Sequence, residues 1–244
     1  MPHVVITGAS SGIGAATAEL LADRGHHLTL GARRAARLPA LPGACNAELD
    51  VTDERSVERF LAAAMAAHGP IDVLINNAGL ARGLEPIAQA DGVAWREMIE
   101  TNVVGVLHVT RRVVGAMIER GSGHVVMIGS IAGHEPYEGG SVYCATKHAL
   151  RSITTALRYE TLGTGVRVTS VDPGMVETEF STVRFSGDEE RAAAVYRGLR
   201  PLTPHDVAEC IAFAIDRPSH VNIDTLLVLP TDQASAKRVH RRSD

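Results

Sequence analysis

Short apolar runs alternate along the chain with longer segments in which apolar residues recur at helical spacing. The short runs have the length of buried strands, and the longer segments have the pattern of amphipathic helices. We predict strands over residues 3–7, 27–32, 44–49, 71–75, 125–128, 166–171 and 226–229. We predict helices over residues 15–24, 56–68, 95–100, 103–120, 143–162 and 204–216. This alternation is typical of an α/β fold with one parallel sheet that helices cover on both faces.

A chemically distinctive residue lies within two positions of the end of most predicted strands. These residues are Gly8, Arg33, Asp50, Asn77, Ser130 and Pro173. The carboxyl ends of parallel strands meet at one edge of the sheet, and open α/β proteins bind their ligands beyond that edge. We therefore expect the functional site there.

A glycine-rich turn joins the first predicted strand to the first helix. Its spacing is G-x-x-x-G-x-G, and the candidate cofactor-binding residues in it are Gly8, Ser10, Ser11, Gly12, Ile13 and Gly14. Glycine allows the backbone to approach a pyrophosphate, and the N-terminus of the following helix offers amide donors. A strand-to-helix turn is the context in which such a fingerprint indicates a dinucleotide, although the turn alone is a weak signal.

Two arginines at the end of the second strand bear on the identity of the cofactor. A site selective for NAD usually places a carboxylate near this point, where it binds the ribose 2′-hydroxyl. This chain has Arg33 and Arg34 instead. Guanidinium groups suit a 2′-phosphate, so we predict NADP. Two solvated arginines at the start of a loop are the alternative.

Tyr143 and Lys147 are four residues apart in a predicted helix, so their side chains leave the same face. A unit charge ~4 Å from a phenol is worth roughly 4 kcal/mol at an effective dielectric of about 20, enough to move a tyrosine pKa towards neutral pH. Such a tyrosine can serve as a general acid or base. A chance pair of surface residues is the alternative, but Lys147 and Lys237 are the only lysines in the sequence.

Bulk properties exclude several other classes of protein. The net charge of −4 over 244 residues gives no basic surface for nucleic acid. The basic residues 237–242 are interpreted as a solvated tail, with docking at a subunit contact as the alternative. Three widely spaced cysteines and scattered histidines indicate neither a disulfide scaffold nor a metal site. No segment has the pattern of a signal peptide or a membrane span, so we expect a cytoplasmic protein with no membrane partner.

Taken together, the motifs resemble the short-chain dehydrogenase/reductase family over nearly the whole chain. The matching residues are residues 7–14, Asp50, Val51, residues 76–79, Asn102, Ser130, Tyr143, Lys147, Pro173, Gly174 and Thr178. The resemblance implies a single NADP-binding Rossmann domain over residues 1–244, with a seven-stranded parallel sheet. It also implies an oxidoreductase that acts on a small alcohol or carbonyl compound and forms a homo-oligomer, either a dimer or a homotetramer.

The resemblance implies roles for individual residues. Ser130 would bind the substrate oxygen, Tyr143 would transfer the proton, and Lys147 would support the tyrosine and hold the nicotinamide ribose. Asn102 would support a water relay to Lys147. The other cofactor-binding residues that the resemblance implies are Asp50, Val51, Asn77, Ala78, Gly79, Tyr143, Pro173, Gly174, Val176 and Thr178. Considered alone, Ser130 and Asn102 could equally be caps of local structure.

Three segments are similar to those of NADP-dependent 3-hydroxy acid dehydrogenases, a subgroup that includes serine and allo-threonine dehydrogenases. They are residues 77–86, 133–140 and 178–188. We expect a substrate lid over about residues 175–202, and the candidate substrate-binding residues are Ser130, Tyr137, Met175, Phe180 and Arg184. A hydroxy acid needs a cation for its carboxylate, which Arg184 would supply. A solvated arginine on the lid is the alternative.

Two features leave other functions open. Residues 173–180 are one residue shorter than in the hydroxy acid enzymes, and residues 229–233 are similar to clavaldehyde-type reductases. An NADPH-dependent aldehyde or ketone reductase of secondary metabolism is therefore an alternative. A non-enzymatic NADP(H)-sensing protein is an alternative of another class, but such proteins usually lose the tyrosine or the lysine. The 3-oxoacyl carrier-protein reductases are less similar, because they end their last strand with a Gly-Gly pair that is replaced here.

Overall fold

All seven strands of the computed structural model run parallel in one sheet, and the structure describes residues 1–242. The strands are β1 His3–Thr7, β2 His27–Ala32, β3 Cys45–Glu48, β4 Val73–Asn76, β5 Gly123–Ile128, β6 Val166–Pro173 and β7 Thr225–Val228. The helices are α1 Gly12–Asp23, α2 Glu54–His68, α3 Gly92–Ile99, α4 Gly105–Arg120, α5 Ser141–Glu160, α6 Glu179–Arg184, α7 Glu189–Ala194 and α8 Pro204–Ile215. The predicted fold class and the predicted strands are confirmed.

The strand order is β3-β2-β1-β4-β5-β6-β7. Strand β1 pairs with β2 on one side and with β4 on the other, so the chain changes its direction of travel across the sheet at β1. Open α/β sheets form their ligand crevices at such a switch point. Gly8 follows β1 and Asn77 follows β4, which puts both of these predicted residues at this crevice.

The sheet is buried on both faces, which explains its continuous apolar strands. Successive side chains of a strand point to opposite faces. Accordingly, Val4 and Ile6 pack with Leu21 of α1 and Ile211 of α8, whereas Val5 belongs to a second core on the other face. That second core includes residues of α2, α4 and α5. Because helices cover both faces, the carboxyl edge of the sheet is the part that remains available for a site.

Capping residues mark the ends of several helices. Thr203 and Asp206 form a capping box at the start of α8, and the Asp53 side chain accepts a hydrogen bond from the first turn of α2. Helix α4 ends at Gly121, whose φ of 73° favours glycine. Within residues 1–242, no helix combines the length and the apolar character that crossing a membrane requires.

Two parts of the predicted secondary structure differ from the structure. The predicted break between two helices at Asn102 is instead a π-helical turn, Glu100–Val104, that joins α3 to α4 without interruption. Helices α6 and α7 were not predicted, because each has six residues and too few turns for a periodic pattern. Thr178 and Asp188 cap them through their side chains.

The basic side chains of residues 237–242 are exposed, as the interpretation as a solvated tail expects, but the end of this segment also contacts the segment that follows α7. The Arg242 amide donates to the Gly198 carbonyl at 2.8 Å, and Arg241 Nη2 donates to the Val195 carbonyl at 3.0 Å. Charge pattern alone could not indicate these backbone contacts.

Candidate active site

A cavity of about 1110 Å³ opens at the carboxyl ends of the strands. Its wall includes the glycine turn after β1, Ser130 after β5, Tyr143 and Lys147 of α5, and residues 178–187 of the segment after β6. Every predicted site residue lines this cavity except Gly14 and Asn102. The predicted cofactor residues and the predicted catalytic residues therefore share one space.

The glycine turn is packed too tightly for larger residues. Gly8 has a φ of 69°, and an added Cβ would lie 2.8 Å from the Ala78 Cα atom. A Cβ on Gly14 would lie 2.5 Å from Asn77 Nδ2, so Gly14 packs α1 against the residues after β4 and does not line the cavity. Ser11 does not cap α1 with its side chain, which leaves the first helical amides available to an anion. These features fit a dinucleotide pyrophosphate.

Three arginines that follow β2 line the cavity. They are Arg33, Arg34 and Arg37, all exposed. Arg34 Nη2 lies 3.4 Å from Ser11 Oγ and 3.2 Å from Glu179 Oε2, and Arg37 contacts the same carboxylate. The hydrogen bond from Arg37, with a smaller contribution from Arg34, holds the pKa of Glu179 below its ordinary value. Glu179 therefore joins the arginine loop after β2 to the first turn of α6.

Tyr143 and Lys147 lie on the buried face of α5, and each residue is 8% exposed. Lys147 Nζ is 6.0 Å from the centre of the Tyr143 ring and donates a hydrogen bond to the Ile128 carbonyl at 2.8 Å. The expected shared face is therefore present, and the ammonium group is fixed at the end of β5.

The expected lowering of the tyrosine pKa is not present in this structure. Burial raises the pKa of Tyr143, the neighbouring Tyr137 adds to the rise, and a hydrogen bond with Ser130 and the charge of Arg184 oppose it. Burial also lowers the pKa of Lys147 to about 8, against the charge of Asp172. The expectation failed because it considered only charge: the loss of water around the phenol outweighs an ammonium that is directed at the Ile128 carbonyl. Tyr143 is thus protonated at neutral pH.

Ser130 follows β5 and begins a short 3₁₀ turn, Ile131–Gly133. Its Oγ accepts a hydrogen bond from the Ala132 amide at 3.1 Å, so it caps this turn. The same hydroxyl lowers the pKa of the Tyr143 phenol, against the rise that burial causes. Ser130 therefore caps the turn and also acts on the candidate proton donor.

Asn102 is buried and lies in the π-helical turn. Its Oδ1 accepts from the Leu80 amide at 2.8 Å, and its Nδ2 donates to the Leu80 carbonyl at 2.8 Å and to Thr146 Oγ1 at 3.1 Å. These contacts tie the loop after β4 to α5. The Asn102 side chain therefore holds two parts of the cavity wall together without lining the cavity itself. Its participation in a water relay stays a prediction.

Arg184 is not a solvated lid residue, which removes the alternative that the sequence left open. Its Nη2 donates to the Tyr137 hydroxyl at 2.8 Å, and its Nε donates to the Gly83 carbonyl at 2.9 Å. The guanidinium carbon is 5.5 Å from the centre of the Tyr143 ring. The Phe180 ring centre is also 5.5 Å from that ring. A fixed positive charge therefore lies beside the candidate proton donor.

Several residues of the cavity were not singled out from the sequence, among them Arg37, Arg82, Glu179 and Gln233. Arg82 binds both oxygens of Glu97 at 2.8 Å and donates to the Val183 carbonyl at 2.7 Å, which ties α6 to α3. Gln233 is buried and accepts from the Met175 amide at 2.8 Å. Arg82, Glu179 and Gln233 lie within segments that carried the family resemblance. No pattern marked Arg37, and no local spacing connects it to Glu179, 142 positions away.

The sequence matches the short chain dehydrogenase family over residues 2–189. This match spans most of the 244 residues, and the glycine turn, Ser130, Tyr143 and Lys147 all lie within it. The chain belongs to the short-chain dehydrogenase family. The resemblance inferred from the motifs is confirmed.

Individual relatives extend the match over the whole chain. An NADP-dependent 3-hydroxy acid dehydrogenase, YdfG of Salmonella typhi, is 43% identical over 245 residues, which cover 98% of this chain and 99% of the relative. An uncharacterized oxidoreductase of Mycobacterium tuberculosis is 52% identical over 237 residues, with coverages of 96% and 93%. The closed form of serine dehydrogenase complexed with NADP+ superposes with a TM-score of 0.93 at 42% identity, and covers 98% of this chain and 100% of that one.

Proposed function

We propose that this chain is an NADP-dependent oxidoreductase that interconverts a small hydroxy acid and the corresponding keto acid, with a 3-hydroxy acid or a β-hydroxy amino acid as the substrate. The observation that carries the proposal is the position of Arg184. Its guanidinium lies 5.5 Å from the Tyr143 ring in the cavity that also contains the glycine turn. A cation for a carboxylate, a proton donor and a dinucleotide cradle thus occupy one space.

The residues of the chain divide the chemistry between them. Bound NADP(H) supplies the hydride acceptor or donor. The Ser130 hydroxyl holds the substrate oxygen beside the phenol, and Tyr143 takes the proton from that oxygen during oxidation or returns it during reduction. Because burial raises the pKa of Tyr143, the phenol is ready to donate a proton at neutral pH. Oxidation depends on the positive charges of Lys147 and Arg184, which favour the phenolate.

The cofactor would be held by two groups of residues. The backbone of the glycine turn and the N-terminus of α1 would bind the pyrophosphate. Arg33, Arg34 and Arg37 would bind the 2′-phosphate, which suits their bidentate guanidinium groups. Glu179 accepts hydrogen bonds from two of these arginines, so a bound 2′-phosphate would compete with its carboxylate for the same donors.

Arg34→Ala is expected to raise the KM for NADPH by about 10- to 100-fold, because a charge-assisted hydrogen bond is worth about 1.5–3 kcal/mol. The KM for NADH should change less than about threefold, since NADH has no 2′-phosphate. Initial rates with both cofactors measure the difference. Arg59→Ala, an exposed arginine on α2, is the matched control. Equal losses with NADPH and NADH in the Arg34 variant would contradict the assignment.

A substrate panel tests the reaction class. The absorbance of NADPH is followed with 3-hydroxy acids, β-hydroxy amino acids, their keto acids, and neutral aldehydes and ketones. The proposal predicts turnover of the acids and weaker turnover of neutral compounds of the same size. Turnover of bulky neutral carbonyl compounds alone would favour a reductase of secondary metabolism. Binding of NADPH without any turnover would favour a sensing protein.

We further propose a homo-oligomer, with a tetramer as the first expectation, in the cytoplasm. Large apolar side chains are exposed on α4 and at the end of α5: Leu107, Ile118, Tyr159 and Leu162. Apolar groups of this kind often mark subunit contacts. The three cysteines are free thiols, as is usual in a reducing compartment. Light scattering compares the mass in solution with multiples of 25.9 kDa. A monomer would contradict the proposal of a homo-oligomer.

A further inference from the structure

A buried carboxylate lies next to the candidate active site, and the proposed proton transfer does not use it. The side chain of Asp172, in β6, is 3% exposed. Its Oδ2 lies 2.5 Å from His134 Nε2, and its Oδ1 accepts a hydrogen bond from Ser170 Oγ at 2.5 Å. Burying a carboxylate costs free energy unless donors and positive charges compensate. The burial of the Asp172 carboxylate therefore indicates that a positively charged group lies close to it.

The carboxylate and the ammonium of Lys147 converge on the end of β5. An added Cβ on Gly129 would lie 1.9 Å from Asp172 Oδ1, so the carboxylate packs directly against that residue. Lys147 Nζ donates to the carbonyl of Ile128, the residue before it. The charge of Asp172 raises the pKa of Lys147, against the lowering that burial causes. Asp172 therefore favours the charged form of Lys147.

His134 connects the same carboxylate to the turn that begins at Ser130. The turn covers Ile131–Gly133, and the His134 amide donates to the Ile131 carbonyl at 2.9 Å. The His134 ring then reaches Asp172, at the end of the neighbouring strand. The His134 side chain is 22% exposed, so it lies between the buried Asp172 carboxylate and solvent.

We propose that Asp172 is a positioning residue for catalysis, which keeps Lys147 positively charged and, through His134, fixes the turn that carries Ser130. The inference rests on the proposed function. The other titratable or charged groups around this centre are Tyr143 and Cys144 on α5, His134 and Tyr137 between the Ser130 turn and α5, and Arg184 on α6. Among the described residues, Asp172 is the acid whose charge acts on Lys147.

The pH dependence of kcat/KM for reduction with NADPH tests the proposal. Activity should fall at alkaline pH, where the coupled Tyr143–Lys147 pair loses a proton. Asp172→Asn removes a negative charge, so the pair loses its proton more easily, and the alkaline limb should move about one pH unit lower. Asp172→Glu keeps the charge and should restore much of the wild-type limb. A folded Asp172→Asn protein with an unmoved limb overturns the proposal.

A second pair of variants covers the case in which Asp172→Asn does not fold. His134→Lys leaves the carboxylate in place and puts a fixed positive charge against it, so the alkaline limb should again move lower. His134→Gln places an uncharged donor at the same position and should not move the limb lower. Coincident limbs in these two variants overturn the proposal. A wild-type protein without NADPH-dependent activity contradicts the proposed function itself, whereas an active wild type with coincident limbs contradicts this inference alone.

Discussion

Replacing Tyr143 with phenylalanine is expected to lower kcat by about 1000-fold, within the range of about 10²- to 10⁴-fold that general acid–base catalysis contributes. The substitution removes one hydroxyl group and keeps the ring that lies 5.5 Å from Phe180, so the packing of the cavity should persist. The Kd for NADPH should change less than about threefold, because the glycine turn and the arginines are untouched. Steady-state rates and a fluorescence titration with NADPH measure the two quantities.

Tyr159→Phe is the matched control for this variant. Tyr159 lies on the same helix, α5, but is 74% exposed and does not line the cavity. Its loss of a hydroxyl should leave kcat and KM unchanged. If Tyr143→Phe kept more than about a tenth of the wild-type rate, another group would have to supply the proton, and the role given to Tyr143 would be wrong.

Arg184→Ala is expected to raise the KM for a 3-hydroxy acid by about 100-fold, since charge-assisted hydrogen bonds to a carboxylate are worth about 1.5–3 kcal/mol. The KM for the methyl ester of the same acid should rise less than about threefold, because the ester has no charge for the guanidinium to bind. The ratio of the two KM values isolates the charge. A loosened segment after β6 would raise both values together, since Arg184 also donates to the Gly83 carbonyl.

Arg191→Ala is the control for a general loosening of the segment after β6. Arg191 belongs to α7 in the same segment, and its guanidinium lies over the Phe185 ring at 4.5 Å. This variant should change the acid and the ester equally, if it changes either. Equal effects of Arg184→Ala on the acid and on its ester would remove Arg184 as the carboxylate partner and leave the substrate class without support from the structure.

The fold could be predicted because its strands are buried on both faces. A strand such as β1, in which all five residues are buried, appears in the sequence as a continuous apolar run bounded by glycine. The edge of the sheet that holds the site could be predicted for the same reason, since parallel strands place their following residues together. Gly8 and Asn77 are examples, because their location at this edge was predicted from the ends of the predicted strands alone.

The electrostatics of the site could not be predicted, because they depend on burial and on distant partners. Arg34 and Arg37 share Glu179, which is more than 140 positions away, and no local spacing connects them. Tyr143 and Lys147 were correctly placed on one helix face, but the loss of water around the phenol reverses the expected pKa shift. Helical periodicity also contains no signal for a π-helical turn, so the setting of Asn102 was found only in the structure.

The role of Asp172 could not be predicted from the sequence either, because it depends on tertiary contacts. In the sequence it is an acid before a Pro-Gly pair, and nothing local distinguishes it from a turn residue. The neighbouring strand and the turn after Ser130 make it a buried carboxylate that acts on Lys147. Its proposed role therefore depends on tertiary contacts, which the pH profile tests.

A crystal structure with bound NADP+ would locate the nicotinamide relative to Tyr143 and Lys147. We expect the pyrophosphate on the glycine turn, the 2′-phosphate in contact with Arg34, and the nicotinamide beside the Tyr143 hydroxyl and the Lys147 ammonium. A complex in which those two groups face away from the nicotinamide, or a protein that does not bind NADP+ at all, would contradict this expectation.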